Sequence, residues 1–234
     1  VAVTPPSTCS GIIGSGIGLY QIEIRPGTNE GIIFNRLLGS PSGIFSIAIS
    51  PESGQNGLVL LGTNHGIYRS SPSGKSWEVT QMPFSDTILC LALSPHFTQD
   101  GFALAGTLES GILSTGNQGR SWEYRSFGLF DLSIFCLVFS PDFAQDGIVF
   151  AGTESTVYYS YNHARAWKEL PFPDETGPIL SLALSPAFNY NSLIFAGTET
   201  NGLWRSFDKG QNWENVPLPS KCINSLVVLS DNRM

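Results

Sequence analysis

Charge is scarce in this chain. Only 13% of its 234 residues are Asp, Glu, Lys or Arg, about half the usual share for a soluble domain. What charge there is leans acidic, with 12 basic against 19 acidic side chains and a net of −7. That balance speaks against a phosphate-tracking surface, so no nucleic-acid partner is expected. Long hydrophobic runs are missing as well. No stretch approaches the roughly 18 to 20 apolar residues of a membrane helix, so no membrane insertion is expected. Three histidines, His65, His96 and His163, and four cysteines show no metal-ligand spacing, so neither a metal nor another cofactor is expected. No charged-then-apolar leader is legible at the start of the chain. Turn formers are the reverse case: 25 Gly and 15 Pro argue against long helices and exclude a helical bundle or coiled coil.

What is present repeats. Trp77, Trp122, Trp167 and Trp213 fall 45, 45 and 46 residues apart. Each repeat opens with an apolar strand: FSIAISP at 45–51, LCLALSP at 89–95, FCLVFSP at 135–141 and LSLALSP at 180–186. A second strand ends in Gly-Thr at 62–63, 106–107, 152–153 and 197–198. A third short strand follows, and the Trp begins a fourth. Four short strands between Gly, Pro, Asn and Asp turns make one antiparallel meander per repeat. The first strand is apolar at nearly every position, as in a strand covered on both faces. Radial stacking supplies that cover and keeps sheet edges short, so a period of about 45 residues with four strands predicts an all-β propeller.

The ends of the chain set the blade count. Residues 12–22 align with 60–70, placing Gly14 on Gly62 and Tyr20 on Tyr68. The N-terminus thus supplies strands 2 and 3, with 30–38 as strand 4 and no strand 1. Residues 223–229 match 179–185 and read as a strand 1 with no continuation. Together they predict a single domain over 1–234, a five-bladed β-propeller of four-stranded antiparallel blades, its ring closed by pairing the N- and C-terminal segments. The composite blade takes 1–40 plus 222–234, and the full blades take about 44–86, 88–131, 134–177 and 179–220.

Between strands 3 and 4 each full repeat carries a fixed constellation. It reads Ser70-x-Pro72-x-Gly74-x-x-Trp77, Thr115-x-Asn117-x-Gly119-x-x-Trp122, Ser160-x-Asn162-x-Ala164-x-x-Trp167 and Ser206-x-Asp208-x-Gly210-x-x-Trp213. A carboxylate or amide folds back on backbone N–H groups, Gly takes the left-handed position and Trp packs over the turn. This resembles the Asp-box, or bacterial neuraminidase repeat, over all four full repeats. Only the last copy keeps both Asp208 and Gly210, and such erosion suits a structural turn. The wider pattern looks like the Asp-box group of sialidases, xyloglucan-active glycosidases, sortilin-type receptors and photosystem assembly factors. Fold carries over from that resemblance; activity does not, because those members share architecture and not chemistry. The resemblance implies that the boxes lie away from any active site, and it favours an extracytoplasmic or secreted setting.

A sialidase reading needs three arginines converging on a carboxylate. Arg69 and Arg205 share one repeat position beside the turn, Arg120 and Arg165 lie within it, and Arg25 and Arg36 lie in the degenerate blade, so none lines the axis. A glycoside hydrolase needs only two suitably spaced carboxylates. The 2–3 and 4–1 loops share one face and offer Glu109, Glu154, Glu199, Asp86, Asp131, Asp174 and Glu175. Repeat-equivalent Glu154 and Glu199 fit solvated loop residues better than an acid and base with distinct roles. The position nearest the axis repeats as Ser46, Cys90, Cys136, Ser181 and Ser225, small and neutral. Cys9 and Cys222 fall at opposite ends of a strand pair, roughly 25 Å apart at about 3.3 Å per residue, so free thiols are expected, which argues against an oxidising compartment. The expectation is therefore a non-catalytic binding or scaffold propeller for a protein or glycan partner. Its loop-face candidates are Glu109, Glu154, Glu199, Phe84, Phe130 and Phe172, with Phe127 nearby. The rival is a glycoside hydrolase with its carboxylates on the same face.

Overall fold

The computed structural model describes residues 9–15, 18–24, 32–36, 43–50, 57–70, 76–173 and 176–229. The expected roles of Pro72, Gly74, Asp174, Glu175 and the 1–8 segment lie outside these residues. The described chain is all-β apart from three single helical turns. A three-stranded sheet comes first, β1 (Cys9–Ser15), β2 (Gly18–Ile24) and β3 (Ile32–Arg36). Four four-stranded antiparallel sheets follow. The first is β4 (Ile44–Ile49), β5 (Val59–Thr63), β6 (Gly66–Ser70) and β7 (Trp77–Val79). The second is β8 (Ile88–Leu93), β9 (Ala103–Thr107), β10 (Ile112–Thr115) and β11 (Glu123–Tyr124). The third is β12 (Ile134–Phe139), β13 (Val149–Thr153), β14 (Val157–Ser160) and β15 (Lys168–Glu169). The fourth is β16 (Ile179–Leu184), β17 (Ile194–Thr198), β18 (Leu203–Ser206) and β19 (Glu214–Val216). Each is a simple meander in chain order, as in a propeller blade.

The core lies between blades. Leu60 and Ile67 of the first blade join Ile88, Phe97, Leu113 and Trp122 of the second in one buried cluster. Leu104 and Ile112 join Ile134, Phe143 and Trp167 in the next, and Phe150, Val157 and Leu170 join Ile179, Leu182 and Phe188 in the last. No blade buries its own faces, which is why the repeat must stack.

The Gly-Thr pair explains how closely. A Cβ on Gly62 would stand 2.7 Å from Ile88 Cγ2, and one on Gly152 2.8 Å from Ile179 Cγ2 and 2.5 Å from Cys136 Sγ. Gly106 and Gly197 meet Ile134 and Ile223 in the same way. The glycine is thus required by the approach of the next blade. Each Thr then closes the following hairpin: Thr63, Thr107, Thr153 and Thr198 donate through Oγ1 to the carbonyls of Gly66, Gly111, Thr156 and Gly202 at 2.8–3.0 Å.

The loop after strand 1 is a single helical turn in three blades: α1 (Phe97–Asp100), α2 (Phe143–Asp146) and α3 (Phe188–Asn191). Ser94 and Ser140 donate to the carboxylates of Asp100 and Asp146 at 2.5 and 2.6 Å, and those carboxylates accept the N–H groups of Phe102 and Ile148. In the fourth blade Asn191 reverses the first bond and donates to Ser185. Left-handed Gly101, Gly147 and Ser192 end the turns.

The C-terminal expectation needs correction. Residues 223–229 form no strand, and the sheet order gives β1 no partner besides β2. Ile223 is seated by hydrogen bonds on both sides. Its N–H donates to the Thr198 carbonyl at 2.9 Å and its own carbonyl accepts from Ser181 Oγ at 3.1 Å. Beyond it Val227 and Leu229 are 78% and 81% exposed. A strand persists only where a neighbour satisfies its amides. The expected end-to-end pairing is absent among the described residues.

Candidate functional site

The strand 3–4 turns are built to satisfy themselves. In the second blade Thr115 Oγ1 donates to Asn117 Oδ1 at 2.9 Å and accepts the N–H of Gly119, while Asn117 Oδ1 accepts those of Arg120 and Ser121. Ser160 and Asn162 repeat the pattern with Ala164, Arg165 and Ala166. Ser206 and Asp208 repeat it with Gly210 and Asn212. The bonds to Asn212 pull the Asp208 carboxyl below its usual range. Each turn needs two successive left-handed residues: Gln118 and Gly119, His163 and Ala164, Lys209 and Gly210. Their first N–H donates to Gly101, Gly147 or Ser192, tying turn to helix. Trp122 and Trp167 are buried beneath, and Trp77 and Trp213 are half-buried.

One departure opens a cavity of about 250 Å³, lined by Asn117, Ser121, Trp122 and Glu123 among others. Gly116 stands there where the third and fourth blades carry Tyr161 and Phe207, and a Cβ on it would meet nothing within 4 Å. Its polar groups are spent on one another: Asn117 Nδ2 donates to Ser121 Oγ, and Arg125 holds Ser114 and pairs with Glu123. Arg69 and Arg205, at the strand 3 position that Ser114 takes in the second blade, pair with Glu78 at 2.9 Å and Glu214 at 2.6 Å, each within its own blade.

On the opposite side the 4–1 connection of each blade meets the 2–3 hairpin of the next. Asp86 accepts the N–H of Glu109 at 3.2 Å, and Asp131 accepts the N–H and hydroxyl of Ser155. Two of the expected loop-face carboxylates are therefore hairpin caps. Glu109, Glu154 and Glu199 sit exposed at hairpin tips. The aromatic candidates divide. Phe172 is buried, its ring 4.8 Å from Trp213 and 6.0 Å from Trp204, so it offers no surface. Phe84 is half-buried against Tyr124. Phe130 is 90% exposed and Phe127 77%.

Two residues that the sequence pattern did not single out hold this face. Tyr158 is buried in the third blade, which pushes its phenol up, against backbone N–H groups of Phe130 and Asp131 that pull it down. Thr176 accepts through its carbonyl from Thr200 Oγ1. Tyr158 shares its repeat position with Tyr68, Leu113 and Trp204, so size alone did not mark it out.

The small residues near the axis also carry a bond that sequence reasoning missed. Leu91 N–H donates to Ser46 Oγ, Cys90 Sγ to the Ile134 carbonyl, Cys136 Sγ to that of Ile179, and Ser181 Oγ to that of Ile223. They staple each inner strand to the next. Burial pushes the Cys90 thiol up to about 12 and raises Cys136 as well. Cys90, Cys136 and Cys222 are free thiols. Among the described residues no three His, Cys, Asp or Glu side chains gather as a metal site.

No family model matches the sequence, and no curated protein does. Solved structures do match. The computationally designed Ika8 protein superposes with a TM-score of 0.64 at 14% identity, over 96% of this chain and 64% of that one. An ancestral GH74 enzyme gives 0.69 at 20% identity, over 92% and 30%. The extracellular domain of a B. thetaiotaomicron one-component system gives 0.64 at 18% identity, over 95% and 29%. The chain thus spans about two thirds of the designed protein and under a third of the other two. At these identities the likeness defines a class of fold, a β-propeller-like stack of four-stranded antiparallel blades. It says nothing further about activity.

Proposed function

We propose that this chain is a non-catalytic recognition propeller that engages a protein or glycan through its 2–3 and 4–1 loop face. Its turns are Asp-boxes that serve folding. Phe130 carries this reading. Its ring is 90% exposed, and its backbone is anchored by Asp131 and Tyr158, so little ordering remains to be done on binding. Exposed aromatics held in this way suit recognition cores. The test is a glycan array with a parallel pull-down, using the chain and its Phe130→Ala variant. Capture lost in the variant while its melting temperature is unchanged supports the reading; undiminished capture removes it.

The second reading is a glycoside hydrolase, favoured by the GH74 enzymes among the structural neighbours. It requires turnover of a polysaccharide that Glu154→Gln or Glu199→Gln abolishes without unfolding. Absence of turnover in the unsubstituted chain ends it.

A further inference from the structure

Phe130 has a charged companion. The Asp131 carboxylate accepts both the N–H and the hydroxyl of Ser155. That bond pins the 4–1 connection of the second blade to the 2–3 hairpin of the third, with Phe130 just before Asp131 and Glu154 just before Ser155. Both side chains are exposed. In the preceding blade the equivalent cap, Asp86, follows Ser85, so the cap itself requires no ring. Among the described residues no cation pairs with Glu154 or lies over Phe130: the ion pairs are Arg69–Glu78, Arg125–Glu123 and Arg205–Glu214, and the cations over rings are Arg205 and Lys209.

The fourth blade shows what a phenylalanine beside a glutamate holds. The guanidinium carbon of Arg205 lies 5.2 Å from the centre of the Phe207 ring, and Arg205 Nε donates to Glu214 at 2.6 Å. A guanidinium serves both partners at once, its plane on the ring face and its N–H groups on the carboxylate. The rest of the loop face has the sign to attract one. Its hairpin tips carry Glu109, Glu154 and Glu199 and its caps Asp86 and Asp131. The lysines and arginines of the same described loops are Lys221 and Arg125, and Arg125 is already bonded to Ser114 and Glu123. We infer that Phe130 and Glu154 are the binding site for an arginine side chain of a protein partner, with the acidic tips drawing a basic segment onto the face. The inference rests on the recognition reading and adds the partner's chemistry: a cationic protein segment, not a glycan.

The test is fluorescence anisotropy on the whole chain at low ionic strength, where such contacts are least screened. The probe is a dye-labelled peptide of alternating glycine and arginine, run beside its lysine and citrulline counterparts. Citrulline keeps the planar end group and loses the charge. The arginine peptide should bind best, the lysine peptide less well and the citrulline peptide not at all. Phe130→Ala and Glu154→Gln should each weaken the arginine peptide by about two- to fivefold. Glu199→Gln removes the same charge from the next blade's tip and should cost less. Both substituted side chains are exposed, so melting temperatures should match that of the unsubstituted chain. No binding of the arginine peptide, equal binding of the citrulline peptide, or unchanged affinity in Glu154→Gln overturns the arginine site. If Phe130→Ala then still abolishes capture on a glycan array, the recognition face stands and its partner is a glycan. If Phe130→Ala changes neither readout, the recognition reading falls as well.

Discussion

Exchanging alanine and glycine at one repeat position should cost very different amounts in two blades. Gly119 sits at φ +81°, and a Cβ there would stand 2.6 Å from Leu60 Cδ2 of the preceding blade. Gly119→Ala therefore meets two penalties: about 1–2 kcal/mol for a left-handed L-residue and about 1–3 kcal/mol for overpacking. A less flexible unfolded chain returns about 0.4–1 kcal/mol. The net expectation is a loss of about 1–5 kcal/mol. Ala164 fills the equivalent place at φ +58°, fully buried in the cluster that holds Leu104. Ala164→Gly recovers the left-handed penalty but gives up about 0.8 kcal/mol of methyl burial and the same unfolded-state entropy, so it should fall within about 1 kcal/mol of zero. Equilibrium urea unfolding followed by tryptophan fluorescence reads both, with the denaturant slope checked for constancy. Leu60→Ala supplies the cross-check. In that background Gly119→Ala should lose its overlap penalty and keep only strain, a coupling of about 1–3 kcal/mol. Equal costs in the two blades, or a neutral Gly119→Ala, would refute the claim that the preceding blade dictates the turn glycine.

Two further outcomes follow from the titrating groups. Cys90 and Cys136, whose thiols burial disfavours as thiolates, should resist iodoacetamide at pH 8 while exposed Cys222 reacts, and should become reactive on unfolding; fast native alkylation of Cys90 would contradict the inter-blade staple. Asp208 has its folded pKa depressed, so its stabilisation is present above the unfolded value near about 4 and is lost as pH falls through the lower folded value. Asp208→Asn, the residue type the second and third turns already use, should flatten the melting-temperature profile on the acid side of the unfolded value. A profile of unchanged slope would show that the carboxylate contributes nothing there.

Most of the blade was legible because its constraints are local or repeat at fixed spacing. The Gly-Thr pairs, the Asn117 and Asp208 turns and the apolar inner strands each recur, and recurrence separates signal from accident. Three features were not legible. The inner Ser and Cys residues read as filler, since a bond to a carbonyl some 45 residues away has no local mark. Asp86 and Asp131 read as candidate chemistry because capping the next blade's hairpin is a tertiary act. Phe172 read as exposed because only the arrival of Trp204 and Trp213 covers it. The closing strand failed for a related reason: 223–229 has the pattern of a strand, but pattern supplies one face of a ladder and geometry must supply the other.

In a repeat protein the departures have to answer to something other than the fold, because the fold is satisfied equally well by the common residue. Gly116, Tyr161 and Phe207 differ at one position, yet Tyr161 leans on Tyr159 and Arg205 lies over Phe207, so their surroundings account for them. Tyr190 takes the place of Gln99 and Gln145 and is 94% exposed, but it sits in a single helical turn on the side of the self-satisfied turns. Phe130 lies on the side where two hairpin-capping carboxylates and the buried Tyr158 phenol fix the backbone. Rigidity is what lets an exposed ring contribute to affinity, since ordering a mobile one consumes part of what its burial provides. Of the two most exposed rings, Phe130 is the one we propose for a partner, and Tyr190→Ala is the matched control that should leave capture intact.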